Sequence, residues 1–356
     1  MDTWPNWKRL RPQRKITLKT NRAHFLQLLE QVQPGLSSKE VLEQSSCFVF
    51  TGGRVHTFND EISCSIPCEV GITGAVTAAP LLAILAKLSE DEVDVEPEAA
   101  QVIIKGKSRR TGVLMEAEVR LPIDKVEVPS KWRPLPPDFC EALEVTVHCA
   151  GSNADESFAL TCVHIHPDFL EACDNYQMAR YPVKSTVRGS ILVRASTIKP
   201  VVGLGASEIA ETRSWLHFKT HSGLVVSVRK HVEDYPDLAA ALDVSDGVPA
   251  VLPGGLAEAV DKAEVFSKVT SGTNQVKVSL SAGALLLTGE GDLGWYQEKK
   301  KIAYDGPGII FMISPKLLVE ITKKHNDCTI SPSRLKVDGG KFVFVTSLGN
   351  PPTKGK

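Results

Sequence analysis

The feature that most constrains this chain is a local pattern written three times. At residues 308–324 a short apolar run, 309–313, meets Ser314, a residue suited to capping a helix, and then Pro315 at the first helical position. Leu317, Leu318 and Ile321 then fall on one helical face. The same order of apolar strand, small polar residue and apolar helix occurs at 74–85 and at 190–202. The copies stand roughly 120 residues apart, about one ordinary domain length. A chain of 356 residues therefore reads as a threefold internal repeat.

Each copy sits in a similar context. The first unit predicts a strand at 15–19, a helix at 21–32 with Phe25, Leu28, Leu29 and Val32 on one face, and strands at 47–50, 55–58 and 62–66. Gly52-Gly53 and Asn59-Asp60 are hairpin signals between those strands. A helix at 80–88 and strands at 101–105 and 112–120 close the unit, and the Pro-rich stretch 129–137 reads as a linker. The second unit predicts a helix at 138–149, strands at 158–162, 163–166 and 169–174, the repeat copy, and strands at 214–220 and 224–229. A second linker follows around Pro236 and 243–249. The third predicts a helix at 254–268, strands at 275–280, 284–288 and 298–304, the repeat copy, and strands at 329–337 and 341–346. The expected class is α+β, with helices packed on antiparallel sheets. The expected boundaries are a basic arm at 1–14 carrying Trp4 and Trp7, domains at 15–128, 137–243 and 247–348, and a polar tail at 349–356.

Composition removes several function classes. Hydrophobic residues make up 42% and charged residues 23%, ordinary values for a globular chain. No apolar run approaches the ~20 residues that span a bilayer, so the expectation is a cytoplasmic protein without a membrane partner. The eight cysteines are scattered through apolar segments, which favours buried, reduced thiols over disulfides. A net charge of −1 does not advertise nucleic-acid binding, although segregated charge would leave that total unchanged.

Chemical motifs are missing. Gly203-Leu-Gly205 follows the repeat helix and lacks the context of a dinucleotide loop. Cys64 with Cys68, or His164 with His166, stand without a second pair at zinc spacing. Gly106-Lys107 and Gly340-Lys341 lie in hairpins. No two carboxylates share a defined scaffold for acid–base work. The expectation is no enzyme activity, no catalytic residue, no cofactor and no metal.

Three helix-and-sheet units at this spacing resemble the sliding clamps of DNA replication, above all the bacterial type, the beta subunit of DNA polymerase III, including phage or plasmid versions. Residues 169–179 resemble a family segment ending in Thr-Asp-Gly-His-Arg-Leu-Ala, with Asp174, Met178 and Ala179 keeping its character. Residues 228–237 resemble the stretch that closes with Tyr/Phe-Pro-Asp, and 311–318 resemble the Asn-Pro-Lys-Tyr-Leu helix start, with Ser314 for Asn and Leu317 for Tyr. The likeness covers about residues 15–348. Two places depart from it: Tyr176-Gln177 replaces His-Arg, and 345–348 plus a tail replace the Met-Pro-Met-Arg-Leu ending.

The resemblance implies a processivity factor that encircles double-stranded DNA without reading its sequence and tethers a DNA polymerase, with a clamp loader as second partner and head-to-tail homodimerisation into a ring. It implies DNA-facing cations at Arg22, Lys39, Lys87, Arg194, Lys199, Lys262, Lys268, Lys316, Lys323 and Lys324, on or beside the predicted helices. It implies a peptide pocket at Leu160, Cys173, Asn175, Tyr176, Met178, Pro236, Leu317 and Val345, and a ring seam between Arg109 and Arg110 on one edge and Val265 and Phe266 on the other. The two departures fall in that pocket and leave open a second reading, an adaptor or decoy with this fold that binds replication proteins without encircling DNA.

Overall fold

The computed structural model describes residues 18–98, 100–151, 157–267, 275–292 and 294–349. The basic arm with Trp4 and Trp7, most of the tail, and Lys268 lie outside that set, as do the side chains of Glu320 and Lys324. The described strands pair antiparallel throughout, and helices cover the sheets, so the class is α+β as expected. The chain forms two compact units, residues 1–135 with 203–230, and 136–202 with 231–356.

In the first unit twelve strands form one hydrogen-bonded run. Two consecutive left-handed glycines, Gly52 at φ 59° and Gly53 at φ 71°, turn Cys47–Thr51 into Arg54–Phe58. Ile62–Pro67 then pairs with Val225–Arg229, more than 150 residues later. Helix α1, Arg22–Val32, starts at Asn21, whose side chain accepts the His24 N–H, and buries Phe25, Leu29 and Val32. Helix α2, Ala78–Lys87, buries Leu81 and Leu85 and packs on α1.

The second unit holds an eight-stranded run and a four-stranded run. Its helices are α3 at Phe139–Val147, α4 at Ala195–Ile198, α5 at Ala239–Leu242, α6 at Leu256–Ser267 and α7 at Pro315–Lys324. Helices α6 and α7 pack together over the core that includes Val260, Leu287, Phe311 and Leu318.

The repeat is visible in the register. The strand leading into the second helix pairs with the first strand after the first helix in all three copies. Gly74–Thr77 pairs with Cys47–Thr51, Ile191–Arg194 with Cys162–His166, and Ile309–Ile313 with Val276–Ser281.

Several local expectations need correcting. Residues 158–161 form a 3-10 turn instead of a strand. In the second copy the helix lasts one turn before a 3-10 segment at Lys199–Val201, because Pro200 has no N–H to extend it. Ser314 stands at the N-cap of α7 but its side chain makes no capping bond. The strand expected at 329–337 is two, Asp327–Ile330 and Arg334–Asp338, split by Ser331-Pro-Ser. The linker at 129–137 contributes a two-residue strand, Arg133–Pro134, to the edge of the twelve-stranded run. Strands at Glu92–Glu98, Gln177–Pro182, Ala206–Glu211 and Val248–Val251 and helix α5 were not expected. All eight cysteines are free thiols, and all but Cys140 are buried.

Candidate functional site

The eight residues expected to form one pocket divide between the two faces of a single sheet. In the second unit Gln177–Pro182 bridges Phe169–Cys173 on one side and Val343–Ser347 on the other. Cys173, Met178 and Val345 are directly opposed in that register and therefore share a face. There they meet Leu160, Leu238, Leu242, Val244 and Tyr235 in an apolar cluster. Helix α5 brings in Leu242 and is the part of this cup that the sequence left as linker. The signal was present: Tyr235-Pro-Asp runs straight into an apolar stretch, and the Asp237 side chain accepts the Ala239 N–H at 2.9 Å at the start of α5. Leu160 and Met178 are half-buried, so the cluster presents part of its apolar surface to solvent. Pro236 is exposed beside it.

The cup is uncharged. Burial pushes the Cys173 thiol up from its ordinary value, and burial with the Cys173 contact pushes the Tyr235 phenol up. The Tyr235 hydroxyl donates to Cys173 Sγ at 3.4 Å and accepts the Cys173 N–H at 2.9 Å. Next to Tyr235 lies a polar cluster: the buried Glu171 carboxylate takes His164 Nδ1 at 2.7 Å and Arg180 Nε at 2.8 Å. His164 and His166 thus belong to a sheet, and among the described residues no cluster of three or more metal-ligating side chains exists.

Leu317 and Tyr176 lie elsewhere. They line a cleft of about 750 Å³ on the opposite face, together with Gln177, Phe344, Ile321, Lys316 and Lys323. Residues 174–177 stand between the apolar cluster and the cleft. There Asp174 Oδ1 accepts the Tyr176 and Gln177 N–H groups at 2.7 Å each, and the Tyr176 carbonyl accepts the Ser347 N–H at 2.7 Å. This turn leaves Tyr176 64% exposed, with Asn175 exposed beside it. The cleft draws on α3, α7 and several strands far apart in sequence, and no local pattern announces it.

The helix cations fall into two groups. Lys87, Lys199, Lys262, Lys316 and Lys323 are exposed on or at the ends of helices, and Lys39 is exposed in the loop after α1. Lys262 lies 3.8 Å from Glu298, a distance that leaves its ammonium largely solvated. Arg22 is different: its guanidinium donates to the Glu90 and Leu85 carbonyls at 2.9 Å each, tying the start of α1 to the end of α2. Arg194 is half-buried, its guanidinium 4.5 Å over the Phe158 ring. Lys268 and the Lys324 side chain fall outside the described set.

The residues expected at a ring seam lie on or beside a strand of the first unit and on α6 of the second. Residues 110–114 of the strand Arg110–Glu116 pair with Gln101–Lys105, whereas Gly74–Thr77 covers only Met115 and Glu116. Arg109 and Arg110 are exposed and ion-paired to Glu90 and Glu98, and Leu114 beside them is 73% exposed. In the second unit Val265 on α6 is 66% exposed and Phe266 is half-buried.

No protein-family model matches this chain, and no curated protein matches it by sequence. Solved structures do. A DNA polymerase III subunit beta sliding clamp from Bartonella birtlesii, bound to griselimycin, superposes with a TM-score of 0.82 at 13% identity, covering 95% of this chain and 100% of that one. The DNA polymerase III beta chain of Streptococcus pneumoniae gives 0.78 at 15% identity, over 94% of this chain and 100% of that one. The beta subunit from the DNA polymerase of Streptococcus pyogenes gives 0.77 at 17% identity, with the same coverage. At these identities the likeness is one of fold: the chain has the fold of the sliding clamps along nearly its whole length.

Proposed function

We propose that this chain is a sliding clamp, a processivity factor that encircles duplex DNA and tethers a replicative polymerase. The observation that carries the reading is the clamp fold over 94–95% of the chain, with the whole length of the solved clamps accounted for. Its three modules are assigned to residues 15–128, 137–243 and 247–348. Two copies join head to tail, the open edge at Arg109–Arg110 and Leu114 of one meeting Val265 and Phe266 of the other. A heterologous contact of this kind closes into a ring when its rotation is a divisor of a full turn.

The chemistry required of the DNA-facing surface is slight. Flexible lysines at helix ends attract phosphates without sequence preference. Contacts to base edges would hold the ring at one place, so a sliding function needs weak, long-range attraction. Lys87, Lys199, Lys262, Lys316 and Lys323 fit that role. Arg22 and Arg194 act first as structural links, because their guanidinium groups are already engaged. No catalytic residue, metal or cofactor enters the mechanism.

The partner surface is the divided pocket. A peptide from the polymerase or the clamp loader seats one apolar side chain against Met178 and Leu160, crosses the Asn175–Tyr176 turn and places a second anchor against Leu317. The cup is apolar and partly open, as side-chain recognition requires.

The adaptor reading draws its support from the charged Arg109–Arg110 edge and from Tyr176-Gln177 in the pocket turn. Mass in solution separates the two. The clamp requires a species of twice 38.7 kDa at micromolar concentration, whereas a stable monomer favours the adaptor.

A further inference from the structure

The sheet face that carries Cys173, Met178 and Val345 also carries a buried ionic row. His164 lies opposite Glu171, and Glu171 opposite Arg180, on three neighbouring strands. Glu171 and Arg180 stand two positions along from Cys173 and Met178, so all of them share one face. Glu171 is 2% exposed, and both of its oxygens are taken. Oε1 holds His164 Nδ1 at 2.7 Å, and Oε2 holds Arg180 Nε at 2.8 Å and Nη2 at 2.7 Å. Such a row adds little to stability over apolar residues of the same volume, because taking charges out of water offsets their attraction. What a fully satisfied polar row supplies is orientation: each group is held one way.

The group so oriented is the His164 ring. Its Nδ1 is fixed by Glu171, and the ring lies against Tyr235 with centroids 4.8 Å apart and planes inclined by 31°. Phe169 meets the same ring edge-on at 5.9 Å, and the Arg180 guanidinium sits 4.5 Å over Phe169. Tyr235, in turn, is the attachment of an irregular stretch. Residues 232–238 have no regular secondary structure, and Val232, Glu233, Asp234, Pro236 and Asp237 are exposed. From 232 to 237 the half-buried Tyr235 is the one side chain turned inward. Besides His164 it meets Cys173, whose N–H and Sγ both engage its hydroxyl. The chain then runs directly into Leu238, Leu242 and Val244, the half of the apolar cluster that the sheet does not supply. One aromatic side chain therefore ties that half to Cys173, Met178 and Val345.

We propose that His164 is a positioning residue for the peptide site: held by Glu171 and Arg180, it sets Tyr235 and, through it, the wall formed by Leu238, Leu242 and Val244. It touches no peptide itself. The inference rests on the reading of this cluster as the peptide site, and the experiment separates the two.

Hydrogen exchange read by mass spectrometry follows the backbone of 232–244 in the full-length protein without any peptide. Calorimetry with a capped peptide carrying leucine and phenylalanine anchors reads the affinity. His164→Ala removes the ring beside Tyr235 and should speed exchange of 232–244 by roughly three- to tenfold, the size expected for loss of one aromatic pair. Peptide affinity should fall with it, by about threefold where the wall is competent a third of the time. His164→Phe restores a ring but gives up the Glu171 bond. It should bring exchange and affinity back to within about twofold of wild type, although both variants lower the denaturation midpoint. Lys184→Gln breaks only an exposed ion pair to Asp168 beside the same strands and should change neither reading.

Unchanged exchange in His164→Ala would overturn the proposal. So would exchange in His164→Phe as fast as in His164→Ala, since the effect would then follow lost stability and not the missing ring. Faster exchange with unchanged affinity would also overturn it, by detaching the wall from the site. A wild-type chain that binds no peptide, with the exchange pattern intact, would overturn the peptide reading and leave the role of His164 at Tyr235 standing.

Discussion

Met178 and Leu160 are the single residues on which the proposed partner surface can be tested. Each is half-buried, and each gives the cup a flexible apolar wall. Met178→Ala combined with Leu160→Ala removes most of that wall while leaving Cys173, Leu238 and Val345 in place. Peptide affinity, read by titration calorimetry with a polymerase-derived peptide, should fall at least tenfold. Truncating two half-exposed side chains should cost less than the 2–5 kcal/mol typical of a fully buried one, and circular dichroism should show a folded chain. Unchanged affinity would move the peptide site elsewhere. His217 makes a second residue-scale prediction. It is 1% exposed, sits between Thr212 and Ser227 at 2.9 and 2.8 Å, and titrates at about 4 because burial disfavours the charged ring. A nearby Glu127 raises the value somewhat and Lys230 lowers it. Its folded pKa lies below its unfolded one, so the unfolded chain binds more protons at intermediate pH. The stability this group contributes is whole above about pH 6.5 and is lost as pH falls toward 4. Denaturant unfolding should show a loss on the order of 3 kcal/mol from this group across that window. His217→Gln should make the curve shallower while leaving the similar contribution of half-buried His56, which also titrates at about 4. A wild-type curve already flat between pH 6.5 and 4 would contradict the assignment.

At the scale of elements, close packing is tested by one glycine. A Cβ on Gly289 would stand 2.0 Å from the Ala263 carbonyl of α6, so the strand and the helix approach at backbone distance. Gly289→Ala must push them apart and should destabilise the second unit by about 1–3 kcal/mol, read as a lower denaturation midpoint. Elements like these were legible where one local rule governs. The Gly52-Gly53 hairpin, α1 after Asn21 and the strand into Pro315 at the start of α7 follow from turn chemistry, capping and period alone. The unexpected strands broke such rules for tertiary reasons. Glu92–Glu98 is mostly charged and contains Pro97, yet Val93 and Val95 are buried and Lys105 neutralises Glu96 from the neighbouring strand. Gln177–Pro182 looks polar at Gln177 and Arg180, but Arg180 is held by Glu171 on the neighbouring strand. The pocket was half legible for the same reason. Cys173 and Met178 share a face by strand alternation, whereas the separation of Leu317 from them depends on which face of the sheet α7 covers.

For the whole molecule, a ring of the kind proposed would work by topology instead of by affinity, in a chain of ordinary composition and near-zero charge. Composition could not reveal that, because 41 basic residues balance 42 acidic ones and function lies in where each kind is exposed. Self-association should be sensitive to the residues proposed at the seam. Leu114→Glu places a charge beside Arg110 on the edge proposed to meet Val265 and Phe266, and analytical ultracentrifugation should then show monomer. The most direct test uses nicked circular duplex DNA. The protein, loaded by its loader and separated by gel filtration, should co-elute with the circle and be released when a restriction enzyme linearises it. Persistence on the linear product, or failure to stay on the circle, would contradict a ring that surrounds DNA without gripping it.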